Sequence, residues 1–477
     1  MFTKLRPVWI VARRELRDQL RDWRVLMPMV ILTLCFPFLM NEFAKQTVTF
    51  LNQYNANLIL DRLVPFSIMI IGFFPITVSL VVALEAFVGE KERGTIEPML
   101  SSPLENWQLY FGKLLVGVTT PLVASYVSIA IYLWLIIIRQ DLTIPPFTMM
   151  LQLLLLTSAH AFLMVSAAIV ISVQSTSVKA ANLLASFIVI PVAILMQGEA
   201  VMLFWGNALV LWLAVAGVTI IALLLIRVGI AHFHREYLLG REIDVINLQW
   251  LWRTFLTDFF GGVHTLPKWY SSVVWPALKR ITPALVALFL VAGVSIWLGY
   301  DWVIRNVPHA LANALPEDVN RWSHQLRELP DIRALRQNIS APFLLLNNTR
   351  AVFFIFLAGL ASFSVLGVLL YMVNIGLIGG LFGLFKLLGI QALPLFLAGV
   401  LPHGIFEIPA LMIGSAAMLY FGASIVTPQV GKSMGEVIIG LLADWTKIFL
   451  GVVIPLLAIA AVIEAYVTPL ILQAVMK

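Results

Sequence analysis

Long apolar runs separated by short polar stretches set the pattern of this chain from end to end. At about 20 apolar residues per helical crossing, the pattern predicts an all-α, polytopic integral membrane protein with about eleven transmembrane helices. Six spans are expected at 25–40, 64–88, 114–138, 149–173, 181–197 and 206–226, and five more at 281–300, 350–372, 373–390, 394–426 and 446–468. The expected domains are 1–230 and 281–477, joined by a cytoplasmic or interfacial connector at 231–280.

The polar stretches differ in kind. Within 3–24, Trp9, Leu16, Leu20 and Trp23 share a helical stripe, while Arg13, Arg14, Arg17 and Arg21 help outnumber Glu15, Asp18 and Asp22. That predicts an amphipathic helix in the membrane interface. In the connector, Leu248, Trp252, Phe255 and Phe259 recur at helical spacing, so part of it is expected flat against the membrane. An external segment is expected at 301–340, with Trp322, Leu326, Leu329 and Leu335 on short amphipathic helices. The stretch 429–445, with Lys432, Glu436 and Asp444, reads as a cytoplasmic surface helix. Gly376 with Gly380, and Gly379 with Gly383, have the spacing that lets helices pack closely.

Composition narrows the class. With 61% hydrophobic residues, 12% charged and a mean hydropathy of +0.95, a chain of 477 residues cannot hide its apolar surface as a soluble protein. The net charge of +6 gathers at the expected cytoplasmic ends of spans, which suits anionic lipids and not nucleic acid. The single cysteine, Cys35, excludes an intrachain disulfide and any multi-cysteine metal site. The first basic stretch is too long and too polar for a cleavable signal, so the N-terminus is expected on the cytoplasmic side of the cell membrane.

Two polar segments carry candidate chemistry. The first is the island after the second expected span, Glu90, Lys91, Glu92, Arg93, Gly94 and Thr95, followed by Pro103 and Gly112-Lys113. It reads either as a solvated loop with snorkelling flanks or as a docking lever, with charges to grip a partner, Gly94 as a break and Thr95 as a helix cap. In order and spacing, the N-terminal amphipathic helix and this island resemble the permeases of ABC type-2 transporters over residues 1 to about 230. The resemblance implies a separate ATPase subunit docked on Glu90–Thr95, a homodimer of membrane domains and movement of a substrate, with export the expected direction. The chain has no phosphate-binding loop of its own, since position 107 ahead of Gly112-Lys113 is Trp. ATP and Mg are therefore expected in the partner, with no cofactor, catalytic residue or metal in this chain.

The second segment, Pro402-His403-Gly404-Ile405-Phe406-Glu407-Ile408-Pro409, sets an ionisable pair four residues apart inside an apolar run. On a helix His403 and Glu407 share a face, and the two prolines suggest a broken or re-entrant helix. The pair reads as a proton-sensitive gate, an ion site or a polar lining, or else as a tie to Asn347, Asn348 or Arg350. With Asn347-Asn348-Thr349-Arg350 and Glu464 near the end, this half is similar to the stage II sporulation protein M family over about 280–477, and His403, Glu407, Asn347, Asn348, Arg350 and Glu464 are its expected intramembrane polar site. Two other functions stand beside the transporter: a non-transporting scaffold or mechanotransmitter for envelope-remodelling proteins, and an intramembrane hydrolase using His403 and Glu407. The hydrolase lacks a His-Glu-x-x-His motif and a visible third ligand. His160 is expected to satisfy itself between helices, and Glu199 to sit at the outer surface.

Overall fold

The computed structural model describes residues 2–53, 57–139, 143–175, 177–184, 186–205, 208–231, 233, 248–312, 340–387, 392–427 and 434–476. Every regular element among them is a helix. Among the described residues ten helices are long and apolar enough to cross a membrane, and Ile188–Phe204 is a shorter apolar one. The chain forms two compact units, one built on Met1–Ile246, the other on Asn247–Ile425 and Gln429–Lys477. Most of the expected external segment (313–339), with its amphipathic residues, and Lys432 lie outside the described residues.

The first unit contains α1 (Phe2–Arg21), α2 (Trp23–Gln53), α3 (Asn57–Glu92), α4 (Ile96–Leu100), α5 (Asn106–Arg139), α6 (Phe147–Gln174), α7 (Val178–Leu184), α8 (Ser186–Trp205) and α9 (Ala208–Ala231). α3 packs on α2, α5 and α6, and α6 packs in turn on α9. Apolar side chains alone give helices little reason to associate in lipid, so small polar groups supply specific contacts. Pro37 lacks an N–H and leaves the Thr33 carbonyl without its helical donor; Ser128 of α5 donates to it at 2.9 Å. Ser125 Oγ likewise donates to the Gly72 carbonyl of α3 at 2.7 Å. Cys35 is exposed on α2, flanked by exposed Leu34, Phe38 and Leu39.

In the second unit α10 (Leu248–Phe260) is followed by α11, in which Leu266–Trp269, the π-helical Tyr270–Val274 and Trp275–Arg280 run on continuously. Then come α12 (Thr282–Ala312), α13 (Ala341–Ala361), α14 (Val365–Leu387), α15 (Ala392–Gly399) and α16 (Leu401–Val426). The last helix, α17, runs through Met434–Ile448, Phe449–Val453, Ile454–Val462, Ile463–Val467 and Thr468–Met476, with π-helical turns as its second and fourth segments. Trp252, Phe255 and Phe259 of α10 stack in a row, and the helix packs on Met434–Ile448. The core is aromatic: Trp445 lies between Phe356, at 3.7 Å between ring centroids, and Phe449, at 4.6 Å.

Three boundaries differ from the sequence expectation. The turn between the spans expected at 350–372 and 373–390 lies instead at Ser362–Ser364, where Phe363 and Ser364 have φ of 49° and 77°. No charge or proline marks it. It is held by Ser364 Oγ, which donates to the Met418 carbonyl at 2.8 Å, and by Ser362 Oγ, which accepts from the Leu366 N–H at 2.8 Å. The stretch 429–445 is no separate surface helix from Met434 onward; it leads directly into the spanning part of α17. Its Asp444 is paired, lying 2.9 Å from Arg280 and 2.6 Å from Lys447. The chain break near His403 falls at Val400, ahead of Pro402, and α16 continues through Pro409.

The paired glycines join α14 to α12. A Cβ at Gly376 would lie 3.3 Å from the Ser295 carbonyl oxygen, and one at Gly379 would overlap that of Ile296. Gly379→Ala should therefore destabilise the second unit by about 1–3 kcal/mol through forced separation of the helices. Gly293→Ala, where an added Cβ meets nothing within 4 Å, is the matched control. Thermal unfolding in detergent checks this; equal midpoints for both variants would refute the close approach.

Candidate functional site

The island after α3 turns sharply. Gly94, with φ of 69°, reverses the chain in a conformation that costs other residues more, and the short α4 follows at once. Arg93, Gly94, Thr95, Glu97 and Pro98 are exposed, whereas Ile96 is buried and anchors the turn. Three of the six residues expected to face a partner are used internally. Lys91 Nζ donates to the carbonyls of Val173 and Ser175, at 2.8 and 2.9 Å, joining α3 to the end of α6. Glu92 Oε1 accepts from the Val178 N–H at 2.7 Å, placing a carboxylate on the N-terminus of α7. Glu90 accepts from the Thr95 hydroxyl and so closes the turn on itself.

Glu90 has a second partner that the sequence did not reveal. Lys113 of α5, its side chain 2% exposed, lies 2.7 Å from Glu15 of α1 and 3.6 Å from Glu90, with its ammonium 5.2 Å from the Phe87 ring centroid. A lysine seven residues into an apolar helix must find a carboxylate, and that requirement was the available signal. α1 reaches it because Gly112 has no Cβ to block the approach: one there would lie 2.6 Å from Val11 Cγ1. Val8 and Ala12 are buried, while Trp9, Leu16 and Leu20 are exposed as an apolar stripe. Arg13, Arg14, Arg17 and Arg21 are exposed too, Arg14 3.9 Å from Asp18.

Of the polar groups expected together in the second unit, the structure gathers three. His403 and Glu407 share one face of α16, with Nε2 3.9 Å from Oε2. Glu464, in the second π-helical turn of α17, joins them, and ligand atoms of all three residues lie within 4.8 Å of one another. His403 Nδ1 lies 3.3 Å from Thr468 Oγ1. Asn347 and Arg350 are exposed on α13 and Asn348 is half-buried; no described hydrogen bond or ion pair joins them to His403 or Glu407. Glu464, grouped with the pair in the sequence through the family resemblance and absent from their local motif, lies more than fifty positions downstream, and the fold brings it to them.

Glu199 is not at the surface. Its side chain is 2% exposed and lies 3.3 Å from His160 Nε2, while His160 Nδ1 lies 3.0 Å from the Leu156 carbonyl oxygen. A carboxylate on the apolar face of α8 needs a polar partner from a neighbouring helix, and His160 of α6 provides it.

Residues 9–211 match the family described as ABC-2 family transporter protein, and residues 285–469 match Stage II sporulation protein M. The uncharacterized protein MJ0793 of Methanocaldococcus jannaschii is 34% identical over 128 residues, 27% of this chain and 70% of that protein. The chain is thus a multi-pass membrane protein whose first unit is similar to the ABC-2 family of transporter proteins and whose second unit is similar to the stage II sporulation protein M family.

Proposed function

We propose that this chain is the membrane-embedded subunit of an ATP-driven exporter in the cytoplasmic membrane, working as a homodimer with a separate ABC ATPase that holds ATP and Mg. The N-terminus and the turn after α3 then lie in the cytoplasm. One observation carries this reading: an exposed, charged turn, Arg93–Pro98, that leaves an α3 end bonded to α5, α6 and α7, with α1 joined through Lys113. A lever needs a part that a partner can hold and a part that does not yield. Arg93, Thr95, Glu97 and Pro98 offer the first; Lys91, Glu92 and the Glu15–Lys113–Glu90 junction offer the second. A push on the turn is passed to α1, α5, α6 and α7 together.

Reconstitution with the cognate ATPase tests both parts separately. Arg93→Glu combined with Glu97→Lys reverses the exposed charges without touching an internal bond. ATPase binding should weaken by about tenfold or more, since a like-charge contact opposes docking. Binding equal to that of the wild type removes the assignment. Lys113→Met leaves Glu15 and Glu90 without their shared cation and should destabilise the unit by about 3 kcal/mol. That is the lower end for a broken buried pair, because both glutamates keep about a fifth of their side chains in solvent. Glu15→Gln, which leaves the pair with Glu90, should lose less. Chemical unfolding in detergent reads both, and a Lys113→Met protein as stable as wild type would contradict the junction.

A further inference from the structure

Glu407 and Glu464 come together between two helices, in segments apolar enough to span a membrane, and no described lysine or arginine is paired with either. Two carboxylates side by side in a low-dielectric setting repel one another, and a lone imidazole offsets at most one charge. The fold nevertheless goes out of its way to assemble them. α17 leaves regular α geometry at Ile463–Val467, a π-helical turn of the kind that concentrates at functional sites, and Glu464 lies within it. α16 begins only at Leu401, after a break at Val400, which places His403 in the first turn of the helix.

We propose that His403, Glu407 and Glu464 bind a divalent first-row cation of the zinc or manganese class. The donor set is one imidazole nitrogen and two carboxylates, which suits these ions better than calcium or magnesium with their all-oxygen shells. His403 Nδ1 faces Thr468 Oγ1, and Nε2 is the ring atom turned toward Glu407. When Nδ1–H donates to the threonine hydroxyl, the Nε2 lone pair is left for the metal, the outer contact that commonly orients a ligating histidine. An ion about 2.0–2.2 Å from each ligand sets ligand atoms about 3.3 Å apart, so the cluster tightens by side-chain rotation of the two glutamates. Three protein ligands leave at least one position for water or a substrate oxygen, as in catalytic rather than closed structural sites.

The full-length protein, purified in detergent and stripped with EDTA, is reloaded with Zn2+ or Mn2+, and bound metal is counted after gel filtration. The expected result is one ion per chain and a rise in the unfolding midpoint. Thr468→Val should weaken binding by about tenfold. Glu464→Gln should weaken it by about 100-fold or more, while leaving the metal-free protein at least as stable as wild type, since it removes a repelling charge. Should Glu464→Gln fail to accumulate, Glu407→Gln serves the same comparison. Co2+ absorption of the wild type gives a reading independent of any variant: an intense four- or five-coordinate band supports the site. Less than one ion in ten chains, a solvent-like Co2+ spectrum, or binding by the glutamine variants within twofold of wild type would overturn it.

Discussion

A single buried ammonium holds α1, α3 and α5 of the first unit together. Lys113 has almost no contact with solvent, and two carboxylates from helices far apart in sequence are what make that tolerable. Because Glu15 belongs to the amphipathic α1 and Glu90 to the end of α3, neutralising one charge fixes the relative placement of three helices. Gly112, one residue earlier, provides the space for α1 to come close enough. The Gly112-Lys113 pair is therefore a packing device: the glycine admits the helix and the lysine fastens it.

The second unit solves the same problem of association in lipid by other means. Its helices meet backbone to backbone at Gly376 and Gly379, stack aromatic rings around Trp445, and tuck one serine-bounded turn against α16. Its ionisable clusters sit toward one end of α17, where exposed Arg280 and buried Lys447 pair with Asp444, and near the other end, where half-buried His403, Glu407 and Glu464 gather.

The spans were legible because twenty consecutive apolar residues have few other fates, and the all-helical class followed from that alone. The turn at Ser362–Ser364 was not, because hydropathy runs through it unchanged and only the hydroxyl contacts on Met418 and Leu366 define it. The same blindness joined 434–445 to the wrong category: its charges suggested a surface, but Asp444 is satisfied by Arg280 and Lys447. At the candidate sites the chemically loaded residues stood out, yet their directions did not. Glu90, Lys91 and Glu92 looked like three docking charges and are internal fasteners, leaving Arg93 and Thr95 outside. Glu199 looked superficial because its partner, His160, is remote in sequence. His403 and Glu407 announced themselves by spacing, whereas Glu464 was marked by resemblance alone and is brought to them in a π-helical turn.

The solitary thiol of the chain has a practical corollary. Cys35 sits on the outer side of α2 among Leu34, Phe38 and Leu39, so a maleimide fluorophore or nitroxide placed there senses acyl chains at one defined spot. No native sulfhydryl has to be mutated away before a second label is introduced anywhere else. Distances measured by resonance energy transfer or paired spin labels thus begin from a fixed, naturally occurring origin.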